Sequence, residues 1–500
     1  MKYGFLFGAG AEMAYKLPSG GKFALDVFRQ DTTIPKEKFK KMREKVDPST
    51  TYASQWLPKD YLTKQIHVFG KSVFENIIES TVEHNRDQII KVVNDFDSIA
   101  NRVANVLRNK KIDIDDAFKT LLGRDISNIH LDQVIQYNEN LKSGNKLFES
   151  TYFSGLLRVY RDIVDEPGRQ LLGKILLAIM QLQLGALSEE LSRNINDNLF
   201  SKKDEQIDLF DEFGELIKLN YKVAGVSGLE LLLENQDINI TIPYGKILHF
   251  AQLIMEDIYA SVLDYKSLID SNWHYLYNPA PDNWAKFCRI SIFLLTVREY
   301  ILKLGLKADK NNPDGYYNML RKALKDGRYE ATAVATTNYN SIIEEILGSE
   351  YPITYLNGAV TIWYDPYLNK IATETELDND EHHIIVPLIF TQSGTKPMTA
   401  ISMSVKYVNI YQRWKESDAI VVVGFGFGPD DEHINGILRT LVNDDEKELR
   451  VVTLKKDKSA ENEAHEIARK LKVSDYRKIK VLLVDRNGKI DGLPWTQLLE

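Results

Sequence analysis

The chain has 500 residues, too many for one ordinary hydrophobic core, so two or three domains, or one domain with a large insertion, are expected. Apolar residues make up 44% and charged residues 27%, the balance of a soluble globular protein, and the net charge of -8 argues against a protein that coats nucleic acid by itself. The single cysteine, Cys288, excludes a disulfide framework or a multi-cysteine zinc site within one chain, and its apolar surroundings read as a buried thiol in a reducing compartment.

In chain order, Tyr3 to Phe7 is a short apolar run that stops at Gly8-Ala9-Gly10-Ala11-Glu12, as a strand entering a glycine turn does. It is too short, and too soon broken by glycine, for a signal peptide. Pro18-Ser19-Gly20-Gly21 reads as a second loop. From about 36 to 327 glycine thins out and helical spacing dominates, in Val73/Ile77/Ile78/Val82, Ile89/Ile90/Val93, Leu171/Leu172/Ile175/Leu176/Ile179, Ile247/Leu248/Ala251/Ile254/Met255/Ile258 and Ile290/Ile292/Leu295/Val297. The lysine-rich run Lys36–Lys45 reads as a solvated helix face. Leu171–Leu187 is the greasiest long segment. Lys174, Gln181 and Gln183 interrupt it short of the roughly 20 clean apolar residues that a membrane span requires, so a buried helix and a cytoplasmic protein with no membrane contact are expected.

From about 328 strands and helices alternate. Strands are expected at Ala331–Ala335, Ile353–Leu356, Ile384–Ile389, Ala419–Val423, Leu449–Leu454 and Val481–Val484, with helices at Ile342–Leu347 and Ala460–Leu471. The economical arrangement is one α/β, doubly wound (Rossmann-like) parallel sheet built from 1–35 and 328–500. An all-α insertion, 36–327, follows its first strand, because a lone strand needs partners. A second glycine turn, Gly424-Phe425-Gly426-Phe427-Gly428, closes the strand Ala419–Val423. Glycine turns at two strand ends would frame one crevice and let backbone approach a phosphate, although both can also be read as tight strand–helix turns. A hydride-transferring dehydrogenase is disfavoured. Met13 stands where the dinucleotide fingerprint has its third glycine, and no strand ends in an acidic residue about twenty residues later to hold the ribose.

These residues, in this order, resemble the sirtuins. Gly8-Ala9-Gly10-Ala11 is similar to their opening glycine turn, and Pro18–Arg29 loosely to the loop behind it. Thr336-Thr337-Asn338-Tyr339-Asn340 resembles their Thr-x-Asn-hydrophobic-Asp motif, Leu356-Asn357-Gly358 their Leu-His-Gly motif, and Val422–Phe427 the turn that holds a ribose. The resemblance covers residues 1–30 and about 328–500. It implies a sirtuin-type fold that takes NAD+ as substrate, with Gly8, Ala9, Gly10, Glu12, Thr337, Gly424, Phe425 and Gly426 binding it. The departures are as specific: Asn357 replaces the family's histidine base, Asn340 replaces an aspartate, Glu12 stands where a small residue is usual, and no zinc module can be built. Protein deacetylation is therefore disfavoured. The pattern looks like the zinc-less sirtuin-like subunits of bacterial anti-phage systems, which carry large helical additions and destroy NAD; Kongming-type subunits are among those it resembles.

Cleaving the nicotinamide–ribose bond needs an oxocarbenium-like state stabilised and one water placed. The Asn338 amide suits that water or a ribose hydroxyl, and also suits the N-cap of the helix near Ser341. Asn357 could bond the ribose hydroxyls but cannot act as a base near pH 7. His433, or the pair His382-His383, could stand in for the missing histidine. Glu12 is expected to face the sugar. The resulting expectation is an NAD glycohydrolase, an NAD-depleting effector of abortive infection, with catalytic residues Asn338, Asn357 and His433 and no metal. It would be held inactive until activated by a second subunit or by assembly into a homo-oligomer through the helical insertion. The alternative is a non-catalytic sensor or scaffold that binds NAD or an ADP-ribose derivative.

Overall fold

The computed structural model describes residues 1–18, 20–70, 81–82, 85–129, 146–162, 165–198, 206–208, 218–220, 227–234, 238–263, 272–278, 280–378, 382–389, 400–455 and 458–499. The chain forms two compact units, Met1–Ser19 with Gln30–Phe69 and Ile269–Glu500, and Gly20–Arg29 with Gly70–Leu268.

The first unit carries a six-stranded sheet. Its strands are β1 (Lys2–Phe7), β2 (Glu330–Thr336), β3 (Ile353–Tyr355), β7 (Ala419–Val423), β8 (Glu448–Leu454) and β9 (Ile479–Val484), counted after a smaller sheet of β4 (Gly358–Asp365), β5 (Lys370–Ala372) and β6 (Val386–Ile389). The large sheet runs β9-β8-β7-β1-β2-β3 with every pairing parallel. The chain thus builds outward from β1 to one edge, then returns to the other side of β1 and builds to the opposite edge. This is the Rossmann-like order, with its switch point between β1 and β7.

Burial on both faces explains the apolar runs. Tyr3, Phe5 and Phe7 point to one face, where Phe7 meets Tyr317 edge-on at 5.1 Å and Phe5 meets Trp495 at 6.5 Å. On the other face Gly4 leaves room for the Trp414 indole, which a β-carbon would overlap. Tyr317 lies on α3 (Tyr316–Lys325) and Trp414 on α5 (Ile401–Lys415), so helices cover both sides. The remaining labelled helices of this unit are α1 (Thr33–Lys45), α2 (Trp284–Lys307), α4 (Ile342–Leu347), α6 (Glu432–Asn443) and α7 (Ala460–Leu471).

The expected helical block 36–327 is divided. Residues 30–69 and the described residues 272–278 and 280–327 belong to the unit that carries the sheet: Phe39 of α1 lies 5.9 Å from Trp284 and 6.1 Å from Phe287 of α2. Helical periodicity reports an apolar face but not its partner, so it could not place this boundary. The α1 lysines are ion-paired as well as solvated, Lys38 to Glu374 at 2.8 Å and Lys45 to Asp378 at 3.9 Å. Cys288 is buried in α2, and burial pushes its thiol up to about 12. The smaller antiparallel sheet holds His383. It bonds Asp365 at 2.7 Å and packs on Tyr52 and Tyr367, ring centroids 4.3 and 5.0 Å away.

The second unit is mainly helical, with Arg86–Asn94, Phe96–Asn109, Glu166–Asn198 and Pro243–Val262 among its helices and a short antiparallel pair, Gln206–Asp208 with Lys218–Asn220. The stretch Glu166–Leu187 is long and apolar enough to cross a membrane by length and composition, and 71% of its most apolar window is buried within the protein. Val73, Ile77 and Ile78 lie outside the described residues. The expected loop at Pro18–Gly21 is corrected in part. A helix, Gly20–Phe28, starts on its two glycines, and Arg29 behind it bonds the Leu232 carbonyl at 2.5 Å and Glu256 at 2.8 Å within this unit.

Candidate functional site

The ends of β1, β2 and β7 lie side by side at the carboxyl edge of the sheet. The Gly8 amide donates to Val423 O at 2.9 Å, the Gly10 amide to Gly424 O at 2.9 Å, and the Thr337 amide to Phe7 O at 2.9 Å. The two glycine turns and the asparagine motif, hundreds of residues apart in sequence, therefore meet at the switch point.

The turns interlock through bare backbone. A β-carbon on Gly8 would stand 2.6 Å from Gly424 O, and one on Gly10 2.9 Å from Gly424 Cα. Gly424 itself has φ +64°, and a β-carbon there would overlap the Ala11 amide. Mutual approach thus accounts for these three glycines without a phosphate. By contrast, Gly426 and Gly428 have nothing within 4 Å of a β-carbon, and Ala9 is exposed, so these positions form the open rim.

Two expectations about the glycine turns, one for each, need correction. The segment after it, Ala9–Tyr15, is a 3-10 helix, and the Gly10 and Ala11 amides already donate to Gly424 O and Gly8 O, so they are not free for a pyrophosphate. Phe425 is 8% exposed, its ring edge-on to Phe427 at 5.2 Å, which leaves its backbone as the part able to meet a ligand.

Asn338 is buried behind the turns. Its Nδ2 donates to Gly8 O and to the Tyr317 hydroxyl, each at 3.1 Å. The carbonyl of Gly8 can only accept, which fixes the amide orientation and uses both amide hydrogens. Only Oδ1 is left to accept a proton from water or a ribose hydroxyl. The bond to the start of α4 comes instead from Asn340, one residue before the N-cap Ser341, whose Oδ1 accepts from the Ile342 amide at 3.0 Å. The Thr337 hydroxyl leans on Phe7 O at 3.5 Å, a weak bond.

Glu12 does not face a sugar. It is 5% exposed and points inward, with Oε1 accepting from Tyr317 Oη at 3.0 Å and Oε2 from Asn340 Nδ2 at 2.6 Å. The two departures at 12 and 340 are therefore partners: one carboxylate and one carboxamide, bonded to each other. Burial raises the Glu12 carboxyl to about 7, against the lowering effect of the bonds from Asn340 and Tyr317. A carboxyl raised on folding stabilises fully below its ordinary value of 4.5 and loses that contribution as pH rises through about 7. The stability of the wild type relative to Glu12→Gln is thus expected to fall by roughly 3 kcal/mol at most from acid to mildly alkaline pH. Urea unfolding at a series of pH values checks this, and a difference independent of pH contradicts it.

Just past the end of the neighbouring strand β3, the Leu356 amide donates to Thr336 O at 2.9 Å, which ties the residue before Asn357 to the end of β2. Asn357, 2% exposed, places Oδ1 3.1 Å from His433 Nε2, in the first turn of α6. The amide at the expected histidine position and a histidine from another element thus form one pair. His433 also packs on Tyr407 at 5.5 Å, whose hydroxyl holds Leu356 O at 2.8 Å. Of the other two candidate histidines, His383 is held by Asp365 and His382 bonds Asp378 at 2.9 Å; neither aspartate belongs to the glycine turns.

Three contributors were missed in the sequence. Tyr317 and Tyr407 lie on helices whose spacing signals only core. Asn435, which bonds Gly428 O at 2.8 Å and pins the end of the second turn, lies in an ordinary amphipathic helix. Among the described residues no group of three or more His, Cys, Asp or Glu side chains could hold a metal ion. No family model, curated protein or solved structure matches this chain.

Proposed function

We propose that the chain takes NAD+ into the crevice at the β1/β7 switch point and hydrolyses its nicotinamide–ribose bond. The observation that carries this reading is the convergence of Gly8–Gly10, Asn338, the Asn357–His433 pair and Gly424–Gly428 on one carboxyl edge of a Rossmann-like sheet. The ordered resemblance to zinc-less sirtuin-like subunits supports it independently of the geometry. In this reading the open rim at Ala9, Gly426 and Gly428 admits the dinucleotide, and Asn338 Oδ1 orients water or a ribose hydroxyl. Asn357, its oxygen turned to His433, offers its amide hydrogens to the ribose. His433 donates its Nε2 hydrogen to Asn357 Oδ1 and takes the base role at Nδ1. The sirtuin-type fold, a cytoplasmic location and a role as an NAD-depleting effector of anti-phage defence belong to the same proposal, as does control by a second subunit or self-assembly through the helical unit.

A second reading, an NAD- or ADP-ribose-binding sensor, is favoured by one observation: asparagine occupies the base position. Calorimetry with NAD+ and ADP-ribose beside a nicotinamide-release assay, with and without operon neighbours, separates the two. Hydrolysis predicts that His433→Ala lowers release about 100-fold with binding largely kept. Tight binding without turnover in every state of assembly selects the sensor.

A further inference from the structure

We propose that Glu12, Tyr317 and Asn340 are positioning residues for this reaction: a hydrogen-bonded chain from the Glu12 carboxylate through the Tyr317 hydroxyl fixes the Asn338 amide so that only its carbonyl oxygen is left for the ligand. The inference rests on the NAD-cleaving reading of the crevice and adds residues to it that never touch the substrate.

The donors and acceptors allow one arrangement. Tyr317 has a single hydroxyl hydrogen. It goes to Glu12 Oε1 at 3.0 Å, so the Tyr317 oxygen receives the Asn338 amide hydrogen at 3.1 Å through a lone pair. The second Asn338 hydrogen goes to Gly8 O, and turning the amide over would set Oδ1 against that carbonyl. Asn340 locks the far carboxylate oxygen at 2.6 Å while its own oxygen accepts from the Ile342 amide at the start of α4. Both partners of the carboxylate are thus donors. A proton on Oε1 would turn the Tyr317 hydrogen toward an amide group that cannot accept it. A proton on Oε2 would oppose the Asn340 amide. Either way one bond of the chain is lost.

The groups that face Glu12 are Tyr317 from α3, Tyr15 from its own 3-10 helix and Tyr355 from β3, with the neutral amides of Asn338 and Asn340. Burial holds all three phenols above their ordinary range, so Glu12 is the member of this cluster that titrates near neutrality. The ionised carboxylate is the form that completes the chain, and turnover is expected to decline as pH falls through about 7. Because 12 and 340 share one carboxylate and one carboxamide, their chemistry is expected to be exchangeable.

The test follows the Asn338 side-chain amide by NMR in protein labelled with 15N-asparagine, over roughly two pH units either side of neutrality. The expected result is a titration centred near 7 that disappears in Glu12→Gln. An Asn338 signal indifferent to pH overturns the proposal whether or not the protein cleaves NAD+. In nicotinamide release, Glu12→Gln and Tyr317→Phe are expected to lower kcat about tenfold with KM little changed. Asn340→Asp, which sets two carboxylates in contact, is expected to lose about 100-fold, and Glu12→Gln with Asn340→Asp to recover most of it. If Asn340→Asp does not fold, the double variant alone is compared with Glu12→Gln. A double variant no better than either single one overturns the exchange. A titrating Asn338 in a protein that releases no nicotinamide upholds the chain of bonds and rejects the NAD-cleaving reading.

Discussion

Gly424→Ala is expected to cost the protein about 4 kcal/mol, while Gly426→Ala two residues later changes stability by less than about 0.5 kcal/mol. The first figure has two sources. Gly424 sits at φ +64°, where a side chain costs about 1 kcal/mol or more. The larger part is steric. The added carbon would overlap the Ala11 amide and stand 2.6 Å from the Gly10 carbonyl carbon, and both are backbone of a turn already bonded to β7. Neither turn can retreat without breaking the Gly8–Val423 and Gly10–Gly424 bonds. Gly426 has no positive φ and open space around it. Urea unfolding of the two variants provides the check. Equal midpoints would mean that the turns do not interlock.

Asn338→Ala is expected to reduce nicotinamide release about 1000-fold, the size of effect seen when a preorganised polar group is removed from a reacting centre. The variant also strips a partner from Gly8 O and from Tyr317, so a stability loss of about 1–3 kcal/mol accompanies it. The two effects separate by measurement. Calorimetry with ADP-ribose on the folded variant reports the crevice, and release of nicotinamide reports the chemistry. A folded Asn338→Ala protein with full activity would remove Asn338 from the mechanism.

The centre of the sheet was legible because β1 and β7 are buried on both faces. Ala419–Val423, Ile342–Leu347 and Ala460–Leu471 match the observed elements at both ends, since continuous apolar runs and clean helical spacing leave little freedom in such places. The start of the helix Gly20–Phe28 was hidden by paired glycines, which punctuate a sequence whether they end a loop or begin a helix. Strand β4 was not legible. It begins at Gly358, whose φ is +86° and whose β-carbon would overlap Leu388 O, a constraint set by β6 and invisible locally.

The positions of the site were readable as strand ends, but their bonding was not. Asn357 and His433 lie 76 residues apart, and Glu12 and Tyr317 lie 305 apart. A buried carboxylate next to a glycine turn reads as a ligand group until the tyrosine that binds it is located. That tyrosine belongs to a helix whose periodicity signals packing alone.

Nicotinamide release from NAD+ by the purified chain, measured alone and with its genomic neighbours against Asn338→Ala, meets the central claim head-on. The account predicts release by the wild type that the variant loses while still binding ADP-ribose. Absence of both release and measurable binding of NAD+ or ADP-ribose in every combination would contradict it.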